Sequence, residues 1–107
     1  MDVYEALADP TRREIVSMLA DGERSAGEIS GRFAMAGPSV SRHLKVLRES
    51  GLISFRQHAT SRFYRLEPER LDEVRQWMEA VLDVTKARFD RLAKHLDAMK
   101  EREEGGG

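Results

Sequence analysis

At 107 residues the chain has the length of one domain with a modest core, and 35% charged residues with 8 glycines and 3 prolines exclude a low-complexity or collagen-like polymer. The absence of cysteine excludes a disulfide scaffold, thiolate metal ligation and thiol redox sensing together. The net charge of −1 hides an asymmetry: residues 37–65 hold six Lys or Arg and one acid, whereas residues 67–107 hold eight basic and eleven acidic residues.

The predicted elements follow in chain order. A short helix over about 2–8 has Val3, Leu7 and Ala8 as its apolar side. Asp9-Pro10 opens a second helix, because Asp caps well and Pro at the first helical position gives up an N–H that would be orphaned anyway. This helix runs to about Ala20 with Ile15, Met18 and Leu19 inward, and Asp21-Gly22 ends it. Arg12 and Arg13 stand in its first turn, where the helix dipole disfavours cations. An intramolecular acidic partner is expected to compensate, with a phosphate as the alternative.

Ser25 to Glu28 is a capping box for a third helix presenting Ile29 and Phe33. Met35-Ala-Gly37 is a turn. Pro38 opens a fourth helix with Val40, Leu44 and Leu47 on one face and Ser41, Arg42, Lys45 and Arg48 on the other. Gly51 suits the left-handed position that stops it. Leu52–Gln57 and Arg62–Leu66 read as two strands around a His58–Ser61 loop.

From Glu67-Pro68 to about Arg102 the pattern is one long helix, with apolar positions Leu71, Val74, Met78, Val81, Leu82, Phe89, Leu92, Leu96 and Met99 and with Trp77 alongside. Its length, roughly 50 Å at 1.5 Å per residue, exceeds what one small domain covers, so part of the stripe is expected to pack on a second copy. The expected organisation is a single domain over 1–103, with 68–102 as the dimerisation helix and 104–107 as a flexible tail. The fold class is mainly α with a small β-hairpin: a winged helix-turn-helix of about five helices, whose fourth helix enters the DNA major groove.

Two segments carry a resemblance. Leu7-Ala8-Asp9-Pro10-Thr11-Arg12-Arg13-Glu14-Ile15 and Ser39-Val40-Ser41-Arg42-His43-Leu44-Lys45-Val46-Leu47-Arg48-Glu49-Ser50-Gly51-Leu52-Ile53 closely resemble the ArsR/SmtB family of bacterial transcriptional repressors. Leu71-Asp-Glu-Val74-Arg-Gln-Trp77 resembles its SdpR-like branch, which has no obvious metal sites. The resemblance spans about residues 3–100 and implies a homodimer that binds an operator and blocks transcription, sometimes released by an effector. Three features depart from the family pattern. Ala36 and Gly37 stand where the family has a Ser or Thr cap, often followed by Gln. The wing loop lacks the common Gly-Arg pair. Glu28-Ile-Ser-Gly-Arg-Phe33 replaces the cysteine-rich metal motif.

The candidate DNA-binding residues are Ser39, Ser41, Arg42, His43, Lys45, Arg48, Arg56 and Arg62. Arg42 can bond two acceptors on one guanine edge, with a phosphate contact or a solvated face as the alternatives. Ser39 and Ser41 are small enough to let the helix approach a groove, and Ser39 has the alternative of supporting its own first turn. His43 is either a donor to DNA or a packed structural residue. Lys45 and Arg48 suit phosphates, and Arg56, His58 and Arg62 flank the wing tip. Candidate dimer-interface residues are Leu71, Val74, Met78, Phe89, Leu92, Leu96 and Met99.

No cofactor and no metal is expected. His43, His58 and His95 are the only histidines, and His95 has no second His at ligand spacing. No Gly-rich phosphate loop, nucleophile elbow or apolar carboxylate pair points to an enzyme. The expected partners are double-stranded DNA and a second copy, with room for an unidentified small-molecule effector. No apolar run approaches the roughly 18 residues of a membrane span and no signal peptide is read, so a cytoplasmic, DNA-associated location is expected. The alternative function is a protein–protein adaptor built on the same fold.

Overall fold

A computed structural model describes residues 1–105. The chain divides into two compact units, Met1–Val74 and Arg75–Gly107. The first holds α1 (Val3–Ala6), α2 (Pro10–Leu19), β1 (Arg24–Ser25), α3 (Ala26–Gly31), α4 (Gly37–Glu49), β2 (Ile53–His58) and β3 (Ser61–Leu66). The last helix, α5 (Pro68–Gly105), begins in the first unit, and its residues from Arg75 onward make the second.

Local chemistry sets the helix ends. The Asp9 carboxylate accepts from the N–H groups of Thr11 and Arg12 at 2.8 and 3.1 Å, with Pro10 as the first residue of α2. Ser25 and Glu28 form the reciprocal capping box of α3. The Gly51 N–H bonds the Arg48 carbonyl and the Leu52 N–H bonds the Leu47 carbonyl, which together make a Schellman ending for α4. Gly51 adopts φ +82°, a conformation that side chains resist. Leu52, the next residue, is fully buried.

The core gathers Val3 and Ala6 of α1, Ile15 and Leu19 of α2, Ile29 of α3, Val40, Leu44 and Leu47 of α4, and Leu52, Ile53 and Tyr64 from the segment entering and forming the sheet. Each buried aliphatic side chain contributes about 1.5–3 kcal/mol relative to its exposed state. In α1 the inward pair is Val3 and Ala6, with Leu7 half-buried and Ala8 exposed. Four residues make too short a helix to carry the Ala8 position inward.

The sheet is three-stranded and antiparallel, in the order β1-β3-β2. The strand β1 was not expected: two residues directly before a capping box carry no strand periodicity, and pairing with Tyr64 and Phe63 of β3 defines them. The expected hairpin pairs Ile53 with Leu66, Phe55 with Tyr64 and His58 with Ser61, so both strands are a residue longer at the tip than expected. Ala59 and Thr60 alone close the loop. Helix α5 continues through Gly105, past the expected end near Arg102, and the remainder of the expected tail, 106–107, lies outside the described residues.

Ala59 takes φ +54° without the freedom of a glycine. A left-handed L-residue is strained by about 1–2 kcal/mol, and glycine loses about 0.5–1 kcal/mol more chain entropy on folding. Ala59→Gly is therefore expected to stabilise the fold by up to about 1 kcal/mol, seen as a thermal midpoint a few degrees higher. A lower midpoint would contradict the strain assigned to this turn.

Candidate nucleic-acid interface

The side of α4 away from the core carries the candidate interface. Val40, Leu44 and Leu47 recur at intervals of four and three residues and are buried, which turns Ser41, Arg42, Lys45 and Arg48 to solvent. Ser39 and His43 are half-buried. As expected from the sequence, Ala36 offers no side-chain cap to α4.

His43 is held from α2. A guanidinium has no acceptor, so Arg12 Nη1 donates to His43 Nδ1 at 3.3 Å, and the neutral ring then carries its hydrogen on Nε2. The same Nδ1 lies 4.0 Å from Asp9 Oδ1. The rest of the Arg12 fork bonds the carbonyls of Ala6 and Glu5, and Arg13 bonds that of Leu7 at 2.8 Å. The expected acidic partner for these two arginines is thus replaced by carbonyls at the end of α1, whose partial negative charge does the same work. Burial raises the Asp9 pKa, but the N–H bonds from Arg12 and Thr11 and the charge of Arg12 outweigh it and leave the carboxyl below its ordinary range.

The wing, β2–β3, has two distinct faces. Strand alternation places Phe55, Tyr64 and Arg62 on one face and Arg56 and Phe63 on the other. On the first face Tyr64 is buried and tilts against Phe55, with ring centroids 5.6 Å apart. The Arg62 guanidinium lies 4.4 Å from the Phe55 ring centroid and that of Arg48, from α4, lies 5.3 Å from it. On the second face Arg56 stands 4.8 Å over Phe63 and grips both oxygens of Glu23. That bond holds the Glu23 pKa below the ordinary carboxylate range. Arg65 pairs with Glu67 at 3.1 Å, and Ser54 bonds the same carboxylate. His58 meets Phe63 edge-on at 6.2 Å.

The candidate DNA residues therefore separate. Ser41, Lys45, Arg48 and Arg62 line one concavity of about 190 Å³ between α4 and the wing, together with Leu44 and Tyr64. Arg42 is on the exposed face of α4, and Arg56 is tied to Glu23. Sequence reasoning missed Phe55 as the ring shared by two arginines; the strand register that places it beside Arg62 was its only signal. Of the candidate interface residues on α5, Leu71 and Val74 pack against the core of the first unit. Met78, Phe89, Leu92, Leu96 and Met99 range from 43% to 65% exposed. Among the described residues no three His, Asp or Glu side chains gather as metal ligands, and no helix is long and apolar enough to cross a membrane.

A capping-box helix, a cation-bearing second helix and a β-wing define a winged helix-turn-helix, the architecture of a DNA-binding transcriptional regulator and not of an enzyme. Residues 9–54 match the family described as bacterial regulatory protein, arsR family. The chain is 35% identical to the transcriptional repressor SdpR of Bacillus subtilis over 72% of this chain and 86% of that one. It is 43% identical to the HTH-type transcriptional regulator Rv2034 of Mycobacterium tuberculosis over 67% of each. It also superposes on the crystal structure of an ArsR family transcriptional regulator, RHA00566, with a TM-score of 0.72 and 31% identity, covering 78% of this chain and 86% of that one. The protein belongs to the ArsR family.

Because the Asp9 pKa is depressed in the folded state, its cap contributes fully at neutral pH and fades as the pH falls through and below the ordinary aspartate range. Asp9→Ala is expected to destabilise the protein by about 1 kcal/mol at pH 7. The gap from the unsubstituted protein should narrow in acid. Denaturant midpoints across pH check this, and a gap that stays constant into acid would count against the cap.

Proposed function

We propose that the protein is a homodimeric, sequence-specific DNA-binding repressor of the cytoplasm that reads an inverted-repeat operator. The observation that carries the reading is the set of cations left outward when α4 is seated on the core: Arg42, Lys45 and Arg48 on one helix face, with Arg62 beside them on the wing. Such a face neutralises phosphates and can read base edges. Arg42 is assigned to base readout, and Lys45 and Arg48 to the backbone. Ser39 and Ser41 allow close approach, and His43 offers Nε2–H as a donor. Arg62 takes the wing contact in preference to Arg56, whose charge Glu23 already matches. The repressor SdpR supports the sign of regulation by likeness.

Self-association is assigned to α5. Leu71, Met78, Leu92 and Met99 fall on a seven-residue repeat, and the neighbouring row passes from Val74 and Val81 to Leu82, Phe89 and Leu96. That drift is the one a straight helix of 3.6 residues per turn produces. The exposed members of both rows make a stripe that a second copy would cover.

Two recognition helices related by a two-fold axis should meet half-sites about 10 bp apart or a multiple of that. Arg42→Ala is expected to cost about 1–3 kcal/mol per half-site on the cognate duplex and to relax preference at one base pair. Titrations against cognate and random duplexes decide between roles, since an equal loss on both makes Arg42 a phosphate contact. If no substitution on α4 changes DNA binding, the adaptor reading replaces this one. Leu92→Glu is expected to sediment as a monomer, because a charge in an apolar seam is strongly disfavoured. A stable, fully dimeric Leu92→Glu protein would remove α5 from the interface.

A further inference from the structure

We propose that Phe55 is a positioning residue that locks the recognition helix to the wing, by holding Arg48 and Arg62 over one ring so that both guanidinium groups grip a single phosphate of the DNA backbone. The proposal rests on the DNA-binding reading and adds to it a residue that touches no DNA.

Arg48 comes from α4 and Arg62 from β3, yet both guanidinium carbons lie within 5.3 Å of the Phe55 centroid. A ring face attracts each cation, but the two cations repel one another. Neither has a carboxylate partner among the described residues. The other face of the wing supplies an internal comparison. Arg56 over Phe63 has nearly the same cation–ring geometry, and there Glu23 neutralises the charge through three bonds. The fold thus pairs one stacked arginine and leaves two stacked arginines to share an anion that is not part of the chain.

The place for that anion is the concavity lined by Ser41, Lys45, Arg48 and Arg62. At about 190 Å³ it is small, and it offers a hydroxyl donor, an ammonium and two guanidinium forks. Guanidinium forks match the tetrahedral oxygens of a phosphate. Tyr64, buried and paired with Phe55 across the strands, holds the ring through their tilted contact. Because one arginine comes from each element, a phosphate held here sets the distance between the helix in its groove and the wing beside it.

The test is the salt dependence of duplex binding by the full chain, with thermal melts to confirm folding. Each phosphate contact contributes about 0.9 to the log–log slope. The Arg48→Ala/Arg62→Ala double variant is expected to lower the slope by about 0.9 per bound subunit, one phosphate's worth. A fall of about 1.8 per subunit would mean separate phosphates and overturn the proposal. Phe55→Leu, which keeps the packing and removes the ring, is expected to lower the slope toward that of the double variant, while Phe55→Tyr keeps it. In the free protein, the side-chain proton resonances of Arg48 and Arg62 should be shifted upfield by the ring, and Phe55→Leu should abolish both shifts. A folded Phe55→Leu with unchanged slope sinks the proposal. If Phe55→Leu does not fold, the double-variant slope decides. If the unsubstituted protein binds no duplex at any salt concentration, the DNA-binding reading itself fails and this proposal falls with it.

Discussion

A helix that presents side chains to an external surface needs a second face that fixes its rotation, and in α4 that face is Val40, Leu44 and Leu47. Their burial determines which residues remain outward, because at 3.6 residues per turn the positions between them have no other direction to point. The Schellman ending then determines where the helix stops. With Gly51 at φ +82° the chain reverses within two residues, Leu52 drops into the core, and Ile53 starts the wing. Both features help to set the 5.3 Å between the Arg48 guanidinium and the Phe55 ring centroid. A side chain at Gly51 would be strained, and its Cβ would also meet the Arg70 side chain at 3.0 Å. The helix and the wing thus share one hinge that has little freedom.

The distribution of ion pairs follows a similar logic. Cations that hold the scaffold are matched within the chain: Arg12 and Arg13 by carbonyls of α1, Arg32 by Glu14, Arg56 by Glu23, Arg65 by Glu67. The exposed ion pairs among these add little stability each, and their main effect is to cancel charge locally. Lys45 has only a long exposed contact with Glu49, and Arg42, Arg48 and Arg62 have no carboxylate among the described residues. The near-neutral net charge of the chain therefore coexists with a local positive field, which is what steers and holds a polyanion.

Most of the scaffold was legible in the sequence because its signals are local. Asp9-Pro10, Ser25 to Glu28 and Gly51 each set an end through chemistry within a few residues, and the apolar spacing of α4 oriented it correctly. What the sequence did not show depends on contacts distant in the chain. Strand β1 exists only through pairing with β3, which lies about forty residues on. The carbonyl partners of Arg12 and Arg13 depend on the angle between α1 and α2. Phe55 reads as an ordinary strand aromatic until the register puts Arg62 on its face and α4 brings Arg48 to it. Leu71 and Val74 lie on the same stripe as Leu92 and Leu96, and only the folded chain separates those that pack on the first unit's core from those left exposed.

That separation bears on how the proposed dimer would be stabilised. An isolated helix is marginal in water because nucleation is unfavourable and each added residue gains little. The part of α5 from Arg75 onward has local support from pairs such as Arg75–Glu79 at 2.9 Å, each worth only a few tenths of a kcal/mol. Its larger potential source of stability is the exposed stripe that includes Phe89, Leu92 and Leu96. Covering that stripe with a second copy would supply the burial that orders the helix. Ordering of this half of α5 and association would then be one equilibrium, with an apparent stability that rises with protein concentration. The first unit has its own core from Val3 to Tyr64, so α4 and the wing would not depend on that equilibrium for their shape. Association would then act on DNA affinity by joining two such units, and the proposed two-half-site operator would be its complement.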